Sequence, residues 1–277
     1  MRPSTHASEW IENSPDRTHR PDFGELWRHR ELATFLALRD IKVRYKQAVF
    51  GVAWAVLQPL AGVVVFTVVF GRLVNVPSDG IPYPLFALIG VAAWSYTSNG
   101  VARAAESLVS NSALVTKVYF PRLLAPVASI LPGLLDLLFS LLAIGVFLAI
   151  YQVRPTWAIV TLPLWLLMMI VSVLGIGLWL GTLNVSYRDI GQAIALLIQM
   201  WFFITPVAYP SSIVPPAWRA FYFVNPMAGM VEGFRWALAG TPGPGAYVLI
   251  SLSSMALLIV SGIALFQRGE RRFADVI

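Results

Sequence analysis

The sequence predicts an all-α integral membrane protein, and three observations lead to this fold class. First, 57% of the 277 residues are hydrophobic and only 12% are charged, whereas a soluble globular domain carries about 25% charged residues. Second, six apolar stretches are long enough to cross ~30 Å of hydrocarbon as helices. Third, the sequence lacks both the alternating pattern of an outer-membrane barrel and an internal repeat of about 20 to 50 residues, so helices are the form that spans the bilayer.

Hydropathy places the six predicted spans in a membrane domain of residues 49–277. They cover residues 50–70, 82–102, 123–150, 157–183, 190–210 and 246–266. The first 49 residues contain no short apolar core followed by a small-residue cleavage site, so we expect no cleaved signal peptide and expect the first span to act as the insertion signal. Residues 1–22, with three prolines and mixed charge, are predicted to be a flexible cytoplasmic tail.

The distribution of lysine and arginine predicts the orientation, because cytoplasmic segments collect these residues. With the N-terminus inside, nine lie before the first span, three between spans two and three, one between spans four and five and three after span six, which gives 16 on the inner side and four on the outer side. Both termini are therefore predicted to be cytoplasmic. The net charge of +6 follows from this asymmetry, so we expect no nucleic-acid partner.

Several kinds of chemistry are excluded by residues that the sequence lacks. It contains no cysteine, and its three histidines all precede the membrane domain. It has no Gly-Lys pair for a phosphate-binding GxxxxGK[ST] loop, no GxSxG elbow and no HExxH zinc motif. We therefore predict no catalytic residue, no metal site and no cofactor in this chain. If the protein transports a substrate uphill, a partner must supply the energy.

The segment 23–48, FGELWRHRELATFLALRDIKVRYKQA, is predicted to be an amphipathic helix that lies in the plane of the membrane interface. Its apolar residues recur at roughly helical spacing among arginine and lysine; they include Trp27, Leu32, Phe35, Leu36 and Ile41. Two interpretations fit this pattern. The helix is either a plain membrane anchor or a surface that contacts a partner protein.

The predicted loop between spans two and three, residues 101–126, is cytoplasmic by the charge count. A short apolar stripe, which includes Leu108, Leu114 and Tyr119, ends at Pro121. The stripe favours a short amphipathic helix parallel to the membrane, and the alternative is a solvated helical turn that only connects two spans.

The predicted external stretch, residues 206–245, is rich in Trp, Tyr, Phe and Met and is interrupted by prolines. We predict two short helices, 213–223 and 227–239, that fold back into the outer leaflet without crossing it. Irregular backbone at membrane depth occurs only where protein or a water-filled cavity surrounds it, so the stretch indicates a pore mouth. An interfacial belt of Trp and Tyr is the competing explanation.

Three charged residues fall in or near the apolar regions. Asp136 lies within the third span, where a charge costs about 2.5 to 3.5 kcal/mol. It is interpreted as a proton-relay acid, as a polar point on a conduit or as a helix-packing group. Glu232 and Arg235 are three residues apart in the external stretch, and we expect them to pair at a gate or to contact a substrate.

Four sequence blocks resemble one protein family over residues 24–277. They are RDIKVRYKQAVFGVAWAVLQPL, NSALVTKVYFPRLLAPVA, SYRDIGQAIALLIQMWFFITPVAYP and VNPMAGMVEGFRWAL, which occur in the family's order and spacing. They resemble the membrane permease of polysaccharide-type ATP-binding-cassette exporters, which export lipid-linked O-antigen, teichoic acid, capsule or related cell-envelope glycans. The resemblance does not identify one substrate, and residues 1–23 lie outside it.

The resemblance implies an assembly of two permeases and two separate ATP-binding subunits, which bind ATP and Mg²⁺, in a bacterial inner (plasma) membrane. The loop helix near 108–120, within a coupling loop of 103–122, would be the coupling helix that docks on the ATP-binding subunit. The residues assigned to this contact are Asn111, Ser112, Leu114, Lys117, Tyr119 and Arg122. The interface helix would touch the same subunit, and residues 211–240 would form an external gate.

An aromatic tunnel suits a glycan cargo, because sugar rings stack on aromatic faces while their hydroxyls need only exchangeable hydrogen bonds. The residues assigned to the path and gate are Trp54, Asp136, Trp201, Phe202, Phe203, Tyr209, Phe221, Tyr222, Phe223, Glu232 and Arg235. The pyrophosphate of a polyprenyl carrier would contact Arg39, Lys42, Arg44 and Lys46 by charge-assisted hydrogen bonds, although membrane topology alone also explains these cations.

Three other functions share features of this sequence. A drug or small-lipid exporter of the same fold shares the topology, but it typically lacks the basic interface helix and the aromatic outer segment. A membrane enzyme acting on lipid-linked sugars needs clustered carboxylates or histidines at one interface, which the sequence lacks. A purely structural anchor explains the topology and leaves the resemblance of the loop unexplained.

Overall fold

The computed structural model describes residues 23–46, 53–112, 120–187 and 189–276. All regular secondary structure in these ranges is helical, which confirms the predicted all-α class. The helices are α1 Phe23–Arg28, α2 Arg30–Lys46, α3 Ala53–Phe66, α4 Tyr83–Ser110, α5 Leu124–Ile150, α6 Leu162–Ser186, α7 Ile190–Phe203, α8 Pro216–Tyr222, α9 Pro226–Ala239 and α10 Val248–Val276. A π-helix, Thr67–Leu73, continues α3, and 3₁₀ turns, Trp157–Thr161 and Gly245–Tyr247, precede α6 and α10.

Five helical segments of the described residues are long and apolar enough to cross a membrane. They are Val56–Leu73, Tyr83–Ser110, Leu124–Ile150, Trp157–Ser186 and Gly245–Glu270, and they match five of the six predicted spans. The other predicted span, 190–210, corresponds to α7, whose 14 residues extend about 21 Å at 1.5 Å per residue. This is less than the ~30 Å of hydrocarbon, because the helix ends at Phe203 and residues 204–209 form turns and bends.

Helix α4 lies at the centre of the structure and packs against α3, α5, α6, α7 and α9. The side chains of residues 85–89 have no exposed surface. A helix of 28 residues is about 42 Å long, so α4 covers the full depth of a bilayer. Contacts along α4 therefore report how deep any neighbouring segment lies.

Helix α4 is also longer than the span predicted at 82–102. It continues to Ser110, so residues 103–110, predicted to belong to the coupling loop, form the last two turns of the helix. The extension is stable because no glycine or proline follows Gly100 within the helix and because Leu108 is buried against Phe120 and Leu124. The connection between α4 and α5 is correspondingly shorter than predicted.

Helices α6 and α10 approach each other through glycines. A Cβ atom on Gly262 would lie 2.6 Å from the carbonyl oxygen of Gly175, and one on Gly175 would lie 2.9 Å from the backbone nitrogen of Ile259. Neither position has room for a side chain, so glycine at both allows the two backbones to meet.

Helix α2 contains most of the predicted interface helix and packs along the first half of α5. Ala33 and Leu36 are buried in a cluster with Leu124 and Ala128, whereas Phe35 is 65% exposed. One face of α2 is therefore bound to the helical bundle and the other is free. Its position in the plane of the membrane stays a prediction.

Two short helices, α8 and α9, lie between α7 and α10, close to the predicted positions 213–223 and 227–239. Helix α9 begins after Asn225, whose side chain accepts a hydrogen bond from the backbone N–H of Met227, and Pro226 takes the first helical position. It ends at Gly240, whose φ of 68° is the left-handed conformation that glycine adopts most easily.

Candidate functional site

Contacts with α4 fix the depth of residues 204–240, which we call the outer hairpin. At the beginning of α4, the Tyr83 hydroxyl donates to the carbonyl oxygen of Ala208 at 2.6 Å. Thr97 is about 21 Å further along α4, and its hydroxyl contacts the sulfur of Met227 at 3.4 Å. The outer hairpin therefore descends beside α4 for about half the length of that helix and then returns along α9.

Asn225 occupies the tip of the outer hairpin and connects it to the end of α7. Its Oδ1 atom accepts hydrogen bonds from Trp201 Nε1 at 2.9 Å and from the Met227 N–H at 3.1 Å. Its Nδ2 atom donates to the Ile204 carbonyl at 3.1 Å and to Thr205 Oγ1 at 3.0 Å. The side-chain amide thus uses all four of its hydrogen-bonding positions, which fixes the tip in one place.

Arg235 and Glu232 form a buried ion pair inside the outer hairpin. The guanidinium has no exposed surface, lies 3.4 Å from Glu232 Oε1 and donates to the Val207 carbonyl at 2.7 Å. It also stacks on the ring of Phe86 at 3.5 Å. Glu232 in turn accepts the backbone N–H of Ser211 at 3.0 Å. The two residues thus pair with each other, and this buried pair holds the hairpin to α4; a role at a gate or in substrate contact stays a prediction.

Gly90 of α4 makes room for this ion pair. A Cβ atom at this position would lie 2.5 Å from the Val207 carbonyl oxygen and 2.7 Å from Arg235 Nη2. Any other residue would therefore push the irregular segment after α7 away from α4. Gly90 is the residue that lets the hairpin backbone pack directly on α4.

Aromatic side chains at the end of α7 are partly packed against neighbouring helices. Trp201 meets Trp94 edge to face with ring centroids 5.4 Å apart, and Phe202 stacks on Phe66 at 5.7 Å. Phe203, the next residue, is 62% exposed. Because Trp94 lies well inside α4, the end of α7 lies near the middle of the bundle and not at its outer end, where the sequence predicted it.

Helix α8 presents exposed aromatic side chains. Phe221 is 74% exposed and Trp218 63% exposed, and their ring centroids are 6.5 Å apart. Together with Phe203 they form what we call the exposed aromatic set. Trp54, also predicted to line the path, lies at the beginning of α3, and its side chain is outside the part of the chain that the structure describes.

The other predicted path aromatics are engaged inside the hairpin. Phe223 is buried and stacks on Tyr247 with centroids 5.6 Å apart. The Tyr222 hydroxyl donates to Tyr209 Oη at 3.2 Å, and the Tyr209 hydroxyl donates to the Phe203 carbonyl at 2.8 Å. Phe223 thus stabilises the hairpin, while the two tyrosines keep part of their surface exposed.

Asp136 is paired with two residues of α2. Its carboxylate accepts hydrogen bonds from the Arg44 guanidinium and from the Tyr45 hydroxyl. Burial, and secondly this hydrogen bond, raises the pKa of Tyr45 to about 12, so the phenol remains a donor at neutral pH. Of the three sequence-based interpretations of Asp136, this arrangement favours a helix-packing group that fixes α2 to α5.

The predicted coupling residues that the structure describes connect four helices at the end of the bundle that is predicted to be cytoplasmic. Asn111 Oδ1 accepts a hydrogen bond from Arg39 Nη2 at 2.9 Å, which links the end of α4 to α2. Arg39 also pairs with Asp40 at 2.8 Å. The guanidinium of Arg122 donates to the carbonyl of Glu270, which links the beginning of α5 to the end of α10.

Other predicted coupling and headgroup residues are placed as follows. Ser112 is the last residue described before the gap at 113–119, and Leu114, Lys117 and Tyr119 lie outside the described residues. The cations assigned to a lipid headgroup divide into two pairs. Arg39 and Arg44 are bound to Asn111 and Asp136, whereas Lys42 and Lys46 are exposed.

Three residues of this site were not found from the sequence. Asn225 and the following proline before an apolar helix are a recognisable helix-start signal, although its bonds to α7 are not visible in a sequence. Trp218 was within the aromatic stretch and differs from its neighbours only in exposure. Gly90 carries no signal, because a glycine in an apolar span is common.

Comparisons with known proteins give a consistent result. The ABC-2 type transporter family matches residues 31–239 of the chain. The O-antigen export system permease protein RfbA of Klebsiella pneumoniae is 27% identical over 251 residues, which cover 89% of this chain and 95% of that protein. RfbA of Myxococcus xanthus is 28% identical and covers 91% of this chain and 98% of its own length. The polysialic acid transport protein KpsM of Escherichia coli is 26% identical, with 85% and 92% covered.

Proposed function

The chain belongs to the ABC-2 type transporter family as a membrane permease, and from this premise we propose that it exports a lipid-linked cell-envelope polysaccharide. A separate ATP-binding subunit, present in two copies with bound ATP and Mg²⁺, would supply the energy. The observation that carries a conduit function is the outer hairpin, fixed at mid-depth by Asn225, beside an exposed aromatic set. The cargo is proposed from relatives whose names state O-antigen export and polysialic acid transport.

The protein is a multi-pass membrane protein, and we propose that α7 provides its sixth crossing in a bacterial inner membrane. Helix α7 is too short alone, but the segment that follows it continues outward along α4, from Trp94 beside Trp201 to Tyr83 beside Ala208. Val207 lies between these levels, where its carbonyl binds Arg235. Six crossings return the chain to its starting side, and the distribution of lysine and arginine indicates that this side is the cytoplasmic one.

Two copies of the chain are needed, because a single six-helix chain does not enclose a path for a polymer. The aromatic set would line such a path only if α7 and α8 face a second copy. Helix α3 adjoins α7 through the stack of Phe66 on Phe202 and presents exposed apolar side chains that include Val64 and Val65. We therefore propose that α3 and α7 of the two copies face each other across the path.

The cytoplasmic end would contact the ATP-binding subunit. The loop after α4, which contains Tyr119, is the proposed coupling segment, and the bond from Arg39 to Asn111 would pass its displacement to α2. Movement of α2 then reaches α5 through Arg44 and Asp136. ATP binding would thereby change the spacing of helices around the path.

The exposed cations of α2 are proposed to attract the carrier lipid. Lys42 and Lys46 are exposed, and each basic residue near anionic lipid contributes about 1 kcal/mol. Arg39 and Arg44 already bind Asn111 and Asp136. We therefore propose that they contribute less to pyrophosphate binding than Lys42 and Lys46 do.

The direct test is reconstitution of the permease with its ATP-binding subunit in liposomes that contain the lipid-linked glycan. We expect ATP-dependent transfer of the glycan, and neither transfer nor ATP hydrolysis by the permease alone. Tyr119→Asp should leave the complex inserted and hydrolysing ATP while transfer is lost. Transfer by the permease alone, or undiminished transfer by the Tyr119→Asp complex, would refute the coupling assignment.

A second experiment distinguishes the two classes of cargo, which are a polysaccharide and a drug or small lipid. A gene deletion that removes surface polysaccharide without changing drug sensitivity supports glycan export. A deletion that spares the polysaccharide and sensitises the cells to a drug or small lipid contradicts it.

A further inference from the structure

A groove on the outer half of α5 lies away from the aromatic set and is used by none of the contacts above. It has a volume of about 830 Å³. One wall is a helical stripe of α5 in which residues recur every three or four positions; it consists of Leu141, Ile144, Gly145, Leu148, Ala149 and Gln152. The opposite wall is formed by Ile159, Leu162 and, from the end of α9, Leu238. The lining is therefore mainly apolar, with Gln152 and Arg154 among its polar residues.

Small residues keep this groove open. Ile144 and Leu148 are buried and form its floor, whereas Gly145 and Ala149 are exposed. A Cβ atom on Gly145 would meet nothing within 4 Å. The groove runs from Leu141 to the end of α5 at Ile150, a distance of about 15 Å for ten residues, which is about half of the hydrocarbon thickness. Its length matches an acyl chain confined to one leaflet.

The open end of the groove carries a cation at the predicted outer surface. Arg154 is the charged residue of the lining, is exposed, and makes no hydrogen bond or ion pair among the residues that the structure describes. Arg154 lies at the predicted external end of the bundle. Trp157, three residues further along the chain, meets Trp236 edge to face near the end of α9, with ring centroids 5.5 Å apart. Most lysine and arginine residues of this chain lie on the predicted cytoplasmic side. The rule that explains their placement therefore does not explain an arginine on the predicted outer side.

Gln152 beside Arg154 has an unfavourable backbone conformation. The φ angle of Gln152 is 55°. Gln152 ends α5 in a Schellman motif, in which the Gln152 N–H donates to the Ala149 carbonyl and the Val153 N–H donates to the Leu148 carbonyl. Glycine normally occupies this position, because the left-handed conformation brings the Cβ atom of any other residue too close to a carbonyl oxygen. Strain of this kind is characteristic of ligand sites, and here it directs an amide side chain to the rim of the groove.

We propose that this groove binds one anionic phospholipid of the outer leaflet, with an acyl chain along α5 and the phosphate on Arg154 and Gln152. Hydrocarbon walls, a length of half a bilayer and an unpaired cation at headgroup level match this class of ligand. The lining is mainly apolar and includes none of the aromatic set, so the groove is not part of the proposed glycan path. Since Leu238 closes one side, the bound lipid supports the end of the outer hairpin.

The test is native mass spectrometry of the full chain in detergent, titrated with phosphatidylglycerol and with phosphatidylethanolamine. We expect one retained lipid per chain and about fivefold tighter binding of phosphatidylglycerol. Arg154→Gln should abolish this preference, and Gly145→Leu, which fills the groove without a clash, should weaken the binding of both lipids about tenfold. Gln152→Gly should raise the melting temperature and weaken lipid retention, a combination that a purely structural role does not produce.

Matched controls keep the proposal falsifiable. Arg72→Gln removes another exposed arginine of the predicted external side, and Val146→Leu places the same side chain one position further along α5, outside the groove lining; both should bind lipid like the wild type. Equal affinity of the wild type for the two lipids, or an equal loss in Arg72→Gln and Arg154→Gln, would overturn the assignment of Arg154. If Gly145→Leu retains lipid but loses self-association, a second copy covers the groove and the proposal is wrong.

Discussion

The two ends of the molecule are held together by different kinds of contact. At the outer end, the hairpin is fixed to α4 and α7 by buried groups: Arg235 has no exposed surface, and the Asn225 amide makes four hydrogen bonds. At the predicted cytoplasmic end, α2 is joined to the end of α4 by the exposed hydrogen bond from Arg39 to Asn111. The side chains of Arg39 and of Asp40, its ion-pair partner within α2, are 43% and 37% exposed.

This difference in burial indicates which end of the molecule rearranges more easily. Breaking a buried polar contact leaves a desolvated group without a partner, which costs about 1–3 kcal/mol or more. An exposed pair that separates exchanges its partner for water and loses typically less than about 1 kcal/mol. The outer hairpin therefore responds as a unit, whereas α2 and the coupling segment can rearrange when the ATP-binding subunit moves.

The largest effect is expected from Arg235→Met. It leaves Glu232 buried without its cation, which costs about 3–5 kcal/mol, and we expect loss of a folded, monodisperse protein in size-exclusion chromatography. Adding Glu232→Gln should recover part of the stability, since the unpaired charge is removed. Arg72→Met, at an exposed external arginine, is the control. A well-folded single variant would show that the hairpin does not depend on this pair.

A smaller loss is expected from Asn225→Ala. This change removes a helix cap, worth about 1 kcal/mol, and leaves Trp201 and Thr205 with unsatisfied groups, so about 2–3 kcal/mol in all. Asn225→Asp keeps the cap and loses the two donated bonds, and its unfolding free energy in mixed micelles should lie between those of the wild type and Asn225→Ala. Equal losses for both variants would mean that the cap alone matters.

Gly90→Ala tests how closely the hairpin must approach α4. Its Cβ atom would meet the Val207 carbonyl at 2.5 Å, and overpacking of this kind costs about 1–3 kcal/mol. Gly62→Ala is a matched control on α3, because its Cβ atom would lie 3.8 Å from Val91, an ordinary contact. Similar melting temperatures for the two variants would contradict the direct packing of the hairpin on α4.

The smallest effect on stability is expected at the cytoplasmic end. In a double-mutant cycle of Arg39→Ala and Asn111→Ala, the coupling energy should be about 0.5–1 kcal/mol, with little change in melting temperature. Export driven by the ATP-binding subunit should nevertheless fall more than stability does. A coupling energy as large as that of the outer hairpin would remove the contrast between the two ends.

The sequence predicted the helices well, because hydropathy and helix-end signals are local properties. Span 123–150 corresponds to Leu124–Ile150 and the second outer helix, 227–239, to Pro226–Ala239. The all-α fold class and the two short outer helices were predicted from the same local signals. The length of α7 was overestimated, because residues 204–210 are apolar and hydropathy does not distinguish a helix from an irregular segment packed on α4.

Apart from the pairing of Glu232 with Arg235, the partners of charged residues could not be predicted. Asp136 binds a residue 92 positions away, and Arg235 donates a hydrogen bond to a carbonyl 28 positions away. Such contacts depend on how helices are arranged in three dimensions, and one sequence contains no record of that arrangement. For the same reason, the exposed aromatic residues could not be separated from buried Phe223.

The meeting of two helix ends at the tip of the outer hairpin has an electrostatic consequence. Helix α7 ends, and α9 begins, at Asn225 and its neighbours, so a partial negative charge of about half a unit and a partial positive charge of similar size lie side by side. These fields cancel over a short distance. The tip of the outer hairpin thus attracts neither sign of charge strongly, and on the proposed path acidic and neutral polymers would meet similar electrostatic resistance there.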